Sequence, residues 1–251
     1  MNSVVIALIA FACIFGGILL GMFLQAALPE HHLSGDTKDV VRVASALVGT
    51  MAALVLGLLI STAKNAYDTR NSELAQVSAD IVLLDSLLRH YGPETKDIRS
   101  LLRHSVAATI ERIWPANGTR GAVVDPPISP AEALYDKIGE LQPSNEYQRS
   151  LQTQASAMMI GIGNTRFLLF QQINSSIHPA FLAVLVFWLT IIFTSFGLFG
   201  PRNATVMAVL LVCALSASSA IFLILDLDQS FTGTLQASSA PLRQALAHLG
   251  P

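Results

Sequence analysis

Apolar and polar positions in this chain segregate into long blocks. Four stretches of twenty or more residues carry no charge: 4–28, 43–63, 180–199 and 203–225. A helix needs roughly 20 apolar residues to cross a ~30 Å hydrocarbon core, so each stretch is long enough to span a bilayer. The last two are joined through Gly200-Pro201-Arg202-Asn203, which predicts a tight antiparallel pair. A polar segment separates the first pair from the second. The pattern predicts an all-α integral membrane protein with four transmembrane helices per subunit. The expected layout is a transmembrane hairpin over 1–63, a cytoplasmic helical bundle over 64–177, a second hairpin over 178–225 and a cytoplasmic segment over 226–251.

Inside the polar segment the period is helical. Tyr67, Leu74, Val77, Ile81, Leu84, Leu88 and Tyr91 recur at spacings of three, four and seven, the seam of a helix packed on other helices. No Gly or Pro falls between Ser61 and Tyr91, so span two is expected to run on as one helix until Gly92-Pro93 stops it. A following helix carries Leu101, Leu102, Val106, Ile110 and Ile113 and ends at Trp114-Pro115. Asn117-Gly118, Gly121 and Pro126-Pro127 mark a loop, after which Ser129-Pro130-Ala131-Glu132 has the form of a capping box. From about 144 the positions Leu151, Ala155, Met158, Ile162, Leu169 and Ile173 predict a helix continuous with span three, kinked near Pro179. A short amphipathic helix is expected over 238–249, with Pro241 near its start.

Composition supports the membrane reading, with 52% hydrophobic and only 13% charged residues. The net charge of −2 gives no argument for a nucleic-acid partner. Eleven of the fifteen Lys and Arg lie from Lys64 to Arg166; the others are Lys38, Arg42, Arg202 and Arg243. Lys64 and Arg70, just behind span two, weigh most under the positive-inside rule and place the polar segment in the cytoplasm. With an even number of spans, both termini of this multi-pass protein are then expected to be cytoplasmic. Cys13 and Cys213 fall within spans and read as buried apolar side chains. Span one is expected to be retained: no Lys or Arg precedes it, and its apolar run exceeds a secretory core.

Candidate chemistry is sparse. Ser61-Thr62-Ala63-Lys64 fits the Ser-x-x-Lys of serine acyl-transferases, but the companion Ser-Asp-Asn and Lys-Thr-Gly elements are absent. A lysine snorkelling at the end of a span explains Lys64 more simply. Glu30-His31-His32 with Asp36 and Asp39 could ligate a metal, although a polar loop is the plainer reading. The glycosylation patterns at Asn117, Asn174 and Asn203 are read as chance matches, given their expected placement in the cytoplasm or at a membrane edge. No enzyme activity, cofactor or metal is expected. Span two is more informative. Ser45, Gly49, Ala53, Gly57 and Ser61 form a small-residue row suited to close helix packing. Leu47, Met51, Leu54 and Leu58 form a bulky row on another side. That row could face lipid or other spans; in a symmetric ring it would form a hydrophobic neck, with Met51, Leu54 and Leu58 as its members. Asp226 and Asp228, with Lys64 across the same boundary, are candidate ion-facing charges, or cap and pair structurally.

Certain motifs are specific enough to carry a resemblance. Residues 56–64, Leu-Gly-Leu-Leu-Ile-Ser-Thr-Ala-Lys, followed by Tyr67-Asp68-Thr69, resemble the signature after span two of bacterial bestrophin-like membrane proteins. So do 83–94, the Asp226 to Gly233 stretch and Ser238-Ser239-Ala240-Pro241-Leu242. The resemblance implies a homo-oligomeric, most simply pentameric, ion channel in the lipid bilayer. It further implies four spans per subunit, cytoplasmic termini and an apolar pore neck on span two. Chloride or another small anion is the implied permeant ion, although bacterial relatives can prefer cations. Calcium-activated animal members carry a long acidic clasp after the last span, where this chain has Asp226 and Asp228, which leaves calcium gating in doubt. A membrane-anchored scaffold or signalling protein, acting through its helical bundle, is the alternative.

Overall fold

The computed structural model describes residues 3–29, 34–115, 128–173, 177–228 and 237–250, with the side chains of 128–131 and 170–173 excepted. Eight α-helices and no strand occur among the described residues: α1 (Ser3–Ala27), α2 (Gly35–Tyr91), α3 (Lys96–Ile113), α4 (Ile128–Gly139), α5 (Glu146–Ile173), α6 (Pro179–Phe199), α7 (Ala204–Asp228) and α8 (Ala240–His248). A 3₁₀ turn at Pro93–Thr95 links α2 to α3. Helices α1, α2, α6 and α7 are long and apolar enough to cross a membrane. The fold is therefore all-α and of the membrane class.

Two compact units divide the chain, Met1–Ala66 with Ile177–Asp228, and Tyr67–Ser176 with Gln229–Pro251. In the first unit, α1 buries Ala10, Ile14, Gly17, Ile18 and Gly21, a seam at helical spacing. Its crossing with α6 is close because glycines line it. A Cβ at Gly17 would lie 2.8 Å from Thr194 Oγ1, one at Gly21 would strike the Thr194 carbonyl, and one at Gly197 would strike that of Ile18. Gly17-x-x-x-Gly21 is the small-residue spacing that lets backbones approach, a signal in span one that the hydropathy pattern alone does not single out. Ile14, Ile18, Phe193, Leu210 and Ala214 form one apolar cluster there. The turn between α6 and α7 is tied to the end of α1. Arg202 donates to Gln25 Oε1 at 2.9 Å and to the Met22 carbonyl, and Gln25 donates to the Gly200 carbonyl at 3.2 Å. A cation there meets the carbonyls that the end of a helix leaves open.

The single helix expected through Pro179 is instead two helices. His178 is extended (φ −60°, ψ 125°), and its Nδ1 accepts from the Ala180 amide at 3.4 Å. A proline drives the residue before it out of the α region, so His178 breaks the helical path and caps α6.

In the second unit, Leu74, Val77, Ile81, Leu84 and Leu88 of α2 meet Ile98, Leu102, Val106 and Ile110 of α3. Leu134 and Ile138 of α4, with Ala155, Met159 and Ile162 of α5, complete that side. Met159 takes the buried position and Met158 is half-buried, one residue off the expected seam. Helix α8 belongs to the same core through Leu242, Ala245 and Leu249. It is anchored by Trp114 Nε1, which donates to the Ala237 carbonyl at 3.0 Å, and by Arg103, which donates to the Leu249 carbonyl. At the α2–α3 joint, Gly92 has φ 141°, a conformation side chains avoid. The fully buried Thr95 hydroxyl bonds the Leu88 and Gly92 carbonyls, and Asp85 pairs with Arg99 at 2.7 Å and 3.2 Å. Half-buried Arg166 on α5 has its pKa lowered, first by desolvation and then by the Arg112 charge of α3.

Candidate functional site

The two rows read from span two behave differently in the folded subunit, for a geometric reason. On a helix of 3.6 residues per turn, residues four apart drift by about 40°, so a five-member row at that spacing turns through about 160°. The small row starts against its own subunit. Ser45 Oγ and Ser195 Oγ are hydrogen-bonded at 2.9 Å, and a Cβ at Gly49 would meet Ile192 Cδ1 at 3.9 Å. It ends in the open: Ala53, Gly57 and Ser61 are exposed, and a Cβ at Gly57 would meet nothing within 4 Å.

The bulky row mixes spacings of four and three, which cancels most of the drift. Leu47, Leu54, Leu58 and Met51 fall within an arc of about 60°. All are uncovered by their own subunit, with Met51 46%, Leu54 71% and Leu58 64% exposed. The opposite side of α2 is packed: Ala52, Leu59 and Ala63 are buried with Leu182, Leu185, Ile221, Ile224 and Leu225. Leu56 and Val55 lie half-buried against the same cluster. One face of α2 thus belongs to the subunit's core, and the other is a smooth apolar strip.

At the far end of that strip, Lys64 is exposed, directly after the fully buried Ala63. Asp226 is only 2% exposed, and it lies inside α7 rather than beyond it. Asp228, half-buried, accepts from the Ile177 amide at 3.2 Å through Oδ2. The two carboxylates therefore sit within the subunit, Asp228 holding the start of the segment that leads into α6. Ser61 and Lys64 are both exposed on α2.

Glu30, His31 and His32, the Asn117 and Asn174 patterns, and the 229–233 part of the acidic motif lie outside the described residues. Among the described residues no group of three or more His, Cys, Asp or Glu could hold a metal. Cys13 and Cys213 are exposed on the spans, not buried as the sequence suggested. Each lies on a helix face that its own subunit leaves uncovered.

The sequence pattern of the bestrophin-like domain matches residues 12–242. The chain belongs to the bestrophin-like family. No curated protein matches this bestrophin-like chain. Its structure is similar to the crystal structure of a bacterial bestrophin homologue from Klebsiella pneumoniae, an isoleucine-to-threonine variant. The TM-score is 0.69 at 14% identity, over 96% of this chain and 97% of that one. At that identity the likeness is one of fold, and it extends over both compact units of the bestrophin-like subunit.

Proposed function

We propose that this protein is a homo-oligomeric ion channel, most simply a pentamer, whose pore neck is the strip of Met51, Leu54 and Leu58. Membership in the bestrophin-like family supports an ion channel at the family level. The observation that carries the reading to these residues is the two-sided packing of α2. A face rich in leucine is left bare directly opposite a face that is fully committed to the subunit core. Copies arranged around an axis would bring the bare faces together as an apolar constriction, which stops ions by dewetting and needs no buried charge. Chloride or another small anion is the proposed permeant ion. The site of action is the bacterial inner membrane, with both termini and the second unit in the cytoplasm.

Liposome flux or planar-bilayer recording on the purified protein tests this. Leu54→Ala or Leu58→Ala widens the ring and eases its wetting, so conductance or open probability should rise with little change in ion preference. Leu56→Ala removes packing from the opposite side of the helix and should lower stability more than it changes current. If wild type and both neck variants stay oligomeric yet pass no chloride, sodium or potassium, the pore reading fails and the membrane-anchored scaffold takes its place.

A further inference from the structure

The joint between α2 and α3 forms an open pocket of about 290 Å³ lined by Arg89, Gly92, Pro93, Thr95, Lys96 and Arg99. Three of those six residues are cationic, and no carboxylate is among them. Arg89 comes from the last turn of α2; Lys96 and Arg99 come from the first turn of α3. The reversal at Gly92 brings them to one place. Each cation has a different setting. Asp85, itself buried, takes Nε and Nη2 of Arg99, which fixes the guanidinium plane and leaves Nη1 for a ligand. Arg89 and Lys96 are exposed, and neither has a carboxylate partner among the described residues.

The pocket's own lining is cationic, and carboxylates flank it, among them Asp97 in the first turn of α3. Asp85 offsets one cation, and Glu94, whose carboxylate lies against Gly92 beside the pocket, offsets part of another. The buried Thr95 hydroxyl is spent on the Leu88 and Gly92 carbonyls, so it holds the floor in shape and is no ligand. A solvated basic surface would leave Arg89 and Lys96 repelling each other across open water. A pocket with one guanidinium already fixed by a buried carboxylate has the geometry to bind an anion. Its volume of about 290 Å³ lies just below the usual ~300–1,000 Å³ of ligand pockets, a size for a compact oxyanion.

We propose that this joint binds a phosphate-type oxyanion, through Arg89, Lys96 and the free edge of Arg99. The group would arrive on a soluble phosphate ester, since about 26 residues of the unbroken α2 separate Arg89 from the end of span two. Thermal unfolding of the full-length protein in maltoside micelles, titrated with inorganic pyrophosphate against sodium chloride of equal ionic strength, reads the binding. Pyrophosphate should raise the unfolding temperature of wild type and of Arg243→Ala, a surface cation away from the pocket. In Arg89→Ala/Lys96→Ala its apparent affinity should fall at least ~tenfold, as two charge-assisted contacts are lost. Should the Ala pair fold poorly, Arg89→Gln/Lys96→Gln removes the charge with less loss of packing. No stabilisation of wild type by pyrophosphate, or equal stabilisation of wild type and the double variant, would overturn the site.

Discussion

Gly57 separates what holds one subunit together from what holds subunits to each other. Within the subunit a Cβ at this position would meet nothing within 4 Å, so Gly57→Leu meets no obstacle there. It should even favour the helix by roughly 0.5–1 kcal/mol, since glycine is a poor helix former. If the exposed end of the small row packs against a neighbouring copy, the same leucine has no room. Overpacking of about 1–3 kcal/mol at each interface corresponds to about fivefold to 150-fold weaker association per contact. The comparison variant is Gly197→Leu. Its side chain would be driven into the Ile18 carbonyl, with Ile18 Cα at 3.2 Å from the Cβ alone, so it should damage the subunit itself. Native mass spectrometry in mild detergent reads the oligomer, and circular dichroism with heating reads the subunit. The expected result is an unchanged or raised helix melting for Gly57→Leu with a shift toward monomer, and a lowered melting for Gly197→Leu. An oligomer distribution of Gly57→Leu identical to wild type would remove Gly57 from any subunit contact. A clean wild-type monomer would end the channel reading altogether, since one four-helix subunit has no room for a pore.

Further predictions concern the second unit and the topology. Asp85→Ala leaves Arg99 without the carboxylate that meets it at 2.7 Å and 3.2 Å. It should cost about 2–3 kcal/mol, below the figure for a sealed ion pair because Arg99 reaches solvent, as a lowered thermal midpoint would report. Arg112→Gln relieves the repulsion that helps depress the Arg166 pKa, and should leave stability unchanged or raise it by about 0.3 kcal/mol. Single cysteines in a background lacking Cys13 and Cys213 test orientation with an impermeant thiol reagent on intact cells. Ser34 should label and Ser100 should not; the reverse pattern would invert the topology.

Much of the fold was legible because lipid and helix packing both leave strong periodic marks. The uncharged blocks and the 67–91 seam give the four spans and the unbroken α2, and Gly92-Pro93 marks the joint. The capping-box reading at Ser129 was less sharp, since α4 begins at Ile128, within the ordinary uncertainty of helix ends. Less visible was anything that depends on which neighbour a face meets. The drift of a four-residue row is calculable from helix geometry, yet only the fold shows Ser45 and Gly49 against α6 and Gly57 in the open. The close crossing of α1 and α6 had a signal in Gly17 and Gly21, but its partner Gly197 lies far along the chain. Asp226 illustrates the opposite limit: two carboxylates at a span's end read equally as ion-facing charges or as structural caps, whereas α7 runs on as far as Asp228 and buries Asp226.

The way α8 completes its core has a consequence for biogenesis. Leu242, Ala245 and Leu249 pack with Ile98, Leu102, Val106 and Ile110, residues made more than a hundred positions earlier. Between them in the chain lie α6 and α7, both apolar enough to need the bilayer. The apolar seam of α3 must therefore wait, partly uncovered, until that hairpin has been delivered to the membrane and residue 249 has been synthesised. Contacts so distant in sequence close slowly, since the loop must be ordered before they form. During that interval the half-built bundle exposes the surface that chaperones and proteases recognise. The yield of this protein in a cell is then set by how fast the second hairpin inserts, as well as by how stable the finished subunit is.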